Sequence, residues 1–189
     1  MELKKYKLGE IADIITGYPF DGHKYSTSGI QVLRGENIGC GFLHWEDRIN
    51  KKWNENFTNF DNYLLKYGDI VMQMDGNIGK NIAYIDTKNP MLLAQRVACI
   101  RAKKDYSQSY IYGILRSQYF YEYISKRTTG TSVQHISLKQ ISDFSFSFHN
   151  KYEQKSIGYL LSILDKKIKL NKTINQNLPI LDRSYNYRS

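Results

Sequence analysis

Catalytic signatures are the first thing missing from these 189 residues. No GxxxxGK[ST] run exists, and Gly76-Asn77-Ile78-Gly79-Lys80 has the wrong spacing for a loop that cradles nucleotide phosphates. No GxSxG is present, which removes the hydrolase nucleophile elbow. An adenine methyltransferase needs an Asn/Asp-Pro-Pro-aromatic motif, yet Pro19, Pro90 and Pro179 are never adjacent. Cysteine is scarce too. Cys40 and Cys99 stand far apart with no CxxC, so they read as reduced thiols rather than a metal site or a disulfide frame. His23, His44, His135 and His149 lack ligand spacing. No apolar run is long enough to span a bilayer, and the opening MELKKYKLGE lacks the apolar core of a signal peptide. The chain is therefore expected to be cytoplasmic, with no metal and no cofactor of its own.

What is present is positive charge. The net charge is +9, which favours an anionic partner, nucleic acid first. Its distribution is uneven. After residue 150, six Lys and two Arg against Glu153, Asp165 and Asp182 give +5, and the longer body before it carries +4. Sixteen Tyr supply both core area and amphipathic contact surface.

Periodicity divides the chain near residue 150. Residues 3–15 read as a short amphipathic helix, or as a strand running into one. Ile30 to Arg34 reads as a strand, followed by a turn at Gly35-Glu36-Asn37, and residues 42–45 as a further strand. Residues 70–74 and 78–85 read as a hairpin about Asp75-Gly76-Asn77. Residues 91–100 suit buried strand, 106–124 one helix, 136–141 a helical turn, and Phe144, Phe146 and Phe148 alternate as a strand. The fold class expected for residues 1–150 is a mixed α/β (α+β) globule. Residues 151–189 hold one long amphipathic helix stopped by Pro179, plus a short tail. Its stripe is Ile157, Leu160, Leu161, Leu164, Ile168, Ile174 and Leu178, with Asn171 on the same line. That narrow stripe suits a coiled-coil seam, where a polar Asn fixes register. Glu153-Gln154-Lys155 has the form of a nuclease ExK, but it opens a helix, where an acid complements the dipole.

Candidate contacts with nucleic acid follow from residue type. Asn77 and Lys80 lie in and beside a Gly-rich turn that can approach DNA closely, Lys80 toward a phosphate. The alternative is that the glycines only permit the turn. Gln134, His135 and Lys139 follow a Thr-Thr-Gly-Thr-Ser stretch, and Gln pairs bidentately with adenine. The alternative there is a helix cap. Arg34, Asn37 and Arg96 suit guanine or adenine edges by type, and the alternative for each is a structural or surface residue.

Five segments in order resemble the specificity subunits of type I restriction-modification systems. They are Tyr6-Lys7-Leu8-Gly9-Glu10-Ile11 with Gly17, Gly29 through Ile38, Gly68-Asp69-Ile70-Val71 with Gly76-Asn77-Ile78-Gly79-Lys80, Gly130 with Val133-Gln134-His135-Ile136, and Glu153-Gln154-Lys155 through Ile168. Phe148-His149-Asn150 stands where that family often has Pro before the Glu-Gln pair. Full subunits hold two recognition domains and two conserved helices, and this chain holds one of each, a half-length form. The resemblance implies a non-catalytic target recognition domain for one half of a bipartite double-stranded DNA site. It implies a methyltransferase (M) subunit that carries S-adenosylmethionine, and a restriction (R) subunit that cuts. It also implies pairing through Ile157, Leu161, Leu164, Ile168, Asn171, Ile174 and Leu178, with a second copy or with another half-subunit. A regulatory or assembly module acting through the helix, and an RNA-binding module, are the other classes open to this sequence.

Overall fold

A computed structural model describes residues 4–55, 60–129 and 133–177. The chain enters as strand β1 (Lys4–Lys7), makes one helical turn α1 (Leu8–Ile11) and continues as β2 (Ala12–Thr16). The apolar positions 8, 11, 14 and 15 are thus shared between a turn and a strand. Leu8 and Ile11 are fully buried, whereas Ile14 and Ile15 are only half-buried.

Strands β3 (Ile30–Leu33), β4 (Lys51–Trp53) and β7 (Met91–Leu93) form a three-stranded sheet in the order β4-β3-β7, with β3 and β7 parallel. Strands β5 (Ile70–Gln73), β6 (Ile82–Tyr84) and β8 (Val97–Ala102) join β2 in an antiparallel sheet of order β2-β8-β5-β6. Side chains on a strand alternate between faces. From β5 and β8, Ile70, Met72, Ala98 and Ile100 face one cluster, and Val71, Val97 and Cys99 face another. The first cluster includes helices α2 (Gln108–Leu115) and α3 (Gln118–Ser125), through Ile111, Leu115, Phe120 and Ile124. The second includes Leu33, Met91 and Leu93 of the three-stranded sheet. The four-stranded sheet is therefore covered on both faces, which explains its nearly unbroken apolar runs.

Helix α4 (Leu138–Ser142) leads to β9 (Ser145–Phe148), which pairs antiparallel with β1, Lys4 opposite Phe148. Phe146 and Phe148 point into the core, as their alternation requires. The long helix α5 (Lys151–Asn177) starts three residues later. Asn150 and Glu153 cap it reciprocally. The Asn150 Oδ1 accepts from the Glu153 N–H at 3.1 Å, and the Asn150 N–H donates to Glu153 Oε2 at 3.2 Å. Glu153 is thus a helix cap rather than a nuclease acid.

Three sequence expectations change. The single helix over 106–124 is two helices, because Ser117 is extended (φ −75°, ψ 155°) and its Oγ caps the Phe120 N–H at 3.3 Å. Residues 42–45 form no strand beyond an isolated Ile38–Leu43 bridge. The hairpin is real, with Ile70 opposite Tyr84, but β6 begins only at Ile82. Its connection is diverted by backbone contacts with Arg96 and with residues 134–136.

Candidate nucleic-acid interface

The ends of β3, β5 and β7 and the start of β8 converge on an open cleft of about 400 Å³. Tyr25, Arg34, Glu36, Gln73, Asp75 and Arg96 contribute to its wall. Arg34 follows β3. Its Nη1 pairs with Glu36 Oε1 at 2.6 Å, and its guanidinium lies 5.3 Å from the Tyr25 ring centroid. Gln73 ends β5 and accepts from Asn81 Nδ2 at 2.7 Å. Arg96 sits on the short corner between β7 and β8. It is the one non-glycine residue with positive φ (62°) among the described residues. Its Nη1 donates to Asp75 Oδ2 at 2.9 Å.

Asp75 is the hub of this end of the molecule. Its other oxygen, Oδ1, accepts from His135 Nδ1 at 2.5 Å. A carboxylate only accepts, so this bond assigns the proton to Nδ1. Backbone bonds run alongside. The Met74 N–H donates to the Arg96 carbonyl at 3.0 Å, the Ile136 N–H to the Met74 carbonyl at 3.0 Å, and the Gly76 N–H to the Gln134 carbonyl at 3.1 Å. These bonds divert the Asp-Gly segment from a two-residue turn into a joint with residues 134–136. Partial burial acts to raise the Asp75 carboxyl, but the Arg96 and His135 hydrogen bonds and charges outweigh it, and the group lies below its ordinary value. The same bond raises the Arg96 guanidinium.

The structure therefore brings Arg34, Arg96, His135 and the Gln134 backbone to one end of the globule. Asn77 and Lys80 are exposed on the adjoining turn, with Lys80 Nζ 5.0 Å from the Tyr121 ring centroid. Lys139 lines a separate shallow depression with Asp13, Leu138 and Ser142. Asn37 is corrected outright. It is fully buried, its Oδ1 accepts from the Arg34 N–H at 2.9 Å, and its Nδ2 donates to the carbonyls of His44 and Ile49, each at 3.3 Å. Its amide oxygen and its amide nitrogen are both engaged inside the protein, with no surface left to offer a base edge. Asp75 was missed because an Asp before Gly reads as turn chemistry, and its partners lie 21 and 60 positions away.

The seam expected on α5 also divides. Ile157 packs against the main core, and Leu161 lies where a side chain on Gly113 of α2 would stand. A Cβ on Gly158 would come within 2.9 Å of the Tyr110 backbone nitrogen. Gln154 is buried and donates to the His149 carbonyl at 2.7 Å. Asp165 reaches Arg116 at 2.5 Å. Ile157 and Leu161 therefore make intramolecular contacts and are half-buried. Leu164, Ile168 and Ile174 remain exposed, as do Leu160 and Asn171. Leu178 lies outside the described residues.

The profile of the type I restriction modification DNA specificity domain matches residues 1–179, and the chain belongs to that family. It is 33% identical over 157 residues to the type I restriction enzyme EcoAI specificity subunit of Escherichia coli, covering 80% of this chain and 26% of that one. It is 28% identical over 178 residues to the MjaVIII specificity subunit of Methanocaldococcus jannaschii, covering 88% and 40%. The chain thus spans less than half the length of the curated relatives it matches. The fold is similar to that of the S subunit of a type I restriction-modification system from M. genitalium (TM-score 0.64, 16% identity, 91% of this chain and 41% of that one). It is equally similar to the HsdS subunit of Thermoanaerobacter tengcongensis (TM-score 0.63, 17% identity, 90% and 39%). No helix among the described residues is long and apolar enough to cross a membrane.

Proposed function

We propose that this chain is a non-catalytic subunit that recognises double-stranded DNA in the cytoplasm, reading one half of a bipartite site. The observation that carries this reading is the convergence of Arg34, Arg96 and Gln73 on one open cleft at the strand ends. Guanidinium and amide groups are the side chains that pair bidentately with base edges in the major groove. Asn77, Lys80, Gln134 and His135 border the same end, and Lys80 supplies a phosphate contact. Lys139 serves as a more distant phosphate contact. A salt titration tests the assignment. Binding to duplex should fall linearly in log–log form with salt, at about 0.9 per phosphate neutralised. Single-stranded DNA or RNA bound as tightly as duplex would refute it.

Helix α5 supplies the second half of the proposal. Its 27 residues extend about 40 Å, close to the ~34–36 Å between half-sites one DNA turn apart. The exposed Leu164, Ile168 and Ile174 form the pairing face, for a second copy or for another half-subunit with a matching helix. The assembly then docks a methyltransferase subunit that carries S-adenosylmethionine, and a restriction subunit. Sedimentation across a concentration series tests intrinsic pairing. A monomer at tens of micromolar would move the role of the helix to docking on the methyltransferase, as in a purely regulatory or assembly module.

A further inference from the structure

We infer that Asp75 is a positioning residue that holds Arg96 for a guanine edge, and that Arg96 reads this base rather than a phosphate. The inference rests on the DNA-reading assignment above and assigns the chemistry within it. Three observations point the same way.

The first is charge. A phosphate brings a full negative charge to its ligand, and an arginine already shared with a carboxylate is a poor host for it. Arg96 bonds Asp75 at 2.9 Å, and Arg34 bonds Glu36 at 2.6 Å. Guanine offers O6 and N7, two acceptors with no net charge, and the pair tolerates them. Lys80 has no carboxylate partner among the described residues and stands over Tyr121, which suits a phosphate.

The second is geometry. Asp75 engages only Nη1 of Arg96 among the described residues. Nη2 and Nε remain, one side of a planar fork, which is what bidentate pairing with guanine uses. Asp75 itself is fixed from its other side by His135 at 2.5 Å, so its carboxylate cannot swing away with the arginine.

The third is the backbone. An L-residue with a side chain rarely adopts a left-handed φ of 62°. The corner between β7 and β8 is a place for glycine, yet arginine occupies it. Such strain is a reason to look for a task for the side chain.

The test is selection from a randomised duplex pool with the purified chain, followed by anisotropy titrations on the enriched duplex and a scrambled control. Arg96→Ala and Arg96→Gly should each lose the preference for G·C at one position, about 5- to 150-fold, while the scrambled control binds with an unchanged salt slope. Glycine accepts the left-handed corner, so R96G remains informative should R96A fail to fold. Asp75→Asn should lose the same preference but bind scrambled duplex more tightly, because one negative charge has left the interface. A damaged fold does not produce that opposite pair of effects. Asp75→Glu should recover part of the preference. Uniform weakening by R96A, with a salt slope lower by about one, would make Arg96 a phosphate contact and overturn the inference while leaving DNA reading intact. Wild-type preference in D75N would remove Asp75 from the account. Loss of an A·T preference in R96A would overturn the guanine assignment. An unenriched wild-type pool would overturn both the inference and the reading beneath it.

Discussion

Two aspartate–arginine pairs clamp opposite ends of the same two strands, and they are built differently. Asp69 precedes β5 and pairs with Arg101 in β8, while Asp75 follows β5 and pairs with Arg96, just before β8. The first pair uses the Nε–Nη2 edge of the guanidinium and both carboxylate oxygens. Nε reaches Oδ1 at 2.7 Å, Nη2 reaches Oδ2 at 2.6 Å, and the Lys66 N–H also donates to Oδ2 at 2.7 Å. The Asp69 side chain is 3% exposed. The second pair shares one nitrogen, and Arg96 is 66% exposed. A bidentate pair built on a buried carboxylate spends the Nε–Nη2 edge of its arginine inside the protein and serves the sheet. An open, half-used pair retains donors for something outside the protein. Position along the strand alone does not distinguish them; burial and the number of engaged nitrogens do.

The contrast breaks most sharply at Arg101. Arg101→Ala leaves the buried Asp69 carboxylate without its cation, and breaking such a pair costs about 3–5 kcal/mol. Urea unfolding should register the loss as a lower midpoint at unchanged slope. Next in size is a change on α5. Gly158→Val places two methyl groups where α2 passes, and overpacking of this kind costs about 1–3 kcal/mol. The same titration reads it, and it marks how far the near half of the helix belongs to the globule. By contrast, Leu164→Asp with Ile168→Asp lies on the open half and should change unfolding by no more than about 0.5 kcal/mol per site in the monomer. Sedimentation should show it abolishing pairing.

Arg96→Gly should likewise leave stability nearly unchanged. Removing an exposed ion pair costs little, and the left-handed strain released at this corner opposes glycine's own entropic penalty. Unfolding should therefore stay close to wild type, against the several kcal/mol lost at Arg101. The smallest effect is one of pH. The Asp75 carboxyl is lowered on folding, so its contribution is present above its unfolded value of 3.8 and disappears as pH falls through the lower folded value. The stability difference between wild type and Asp75→Asn, followed from pH 7 to about pH 2.5, should hold constant and then shrink only at the acid end. A difference that shrinks well above the ordinary carboxyl range would mean that Asp75 is not the group responsible.

Local patterns were legible in the sequence, and distant pairings were not. The strands at Ile30 and Ile70, the Phe144–Phe146–Phe148 alternation and the long final helix all carry their period in consecutive residues. The break at Ser117 was hidden, because apolar spacing continues through it and only the serine's cap geometry interrupts the helix. Asn37 looked like a reader of bases by residue type, but burial decides its role, and a turn-rich context conceals burial. Arg96 stands out by residue type and His135 with Gln134 and Lys139, whereas the grouping of Arg96 with His135 depends on Asp75, a residue whose neighbour Gly76 gives it a sufficient local explanation. The α5 stripe erred the other way. One helical period runs over two surfaces, with Ile157 and Leu161 against the globule and Leu164, Ile168 and Ile174 left exposed, the face proposed for a partner, and periodicity does not record which surface each turn meets.

The claim that the cleft end of this globule reads duplex sequence is most directly tested by one equilibrium comparison. The dissociation constant of the purified chain is measured on the duplex enriched by selection and on a scrambled duplex of the same composition, at about 0.15 M salt, where surface charge is screened beyond about 8 Å. Reading even two base pairs at about 1–3 kcal/mol each predicts a preference of roughly 30-fold or more for the enriched duplex. Equal affinities for the two duplexes would contradict the account.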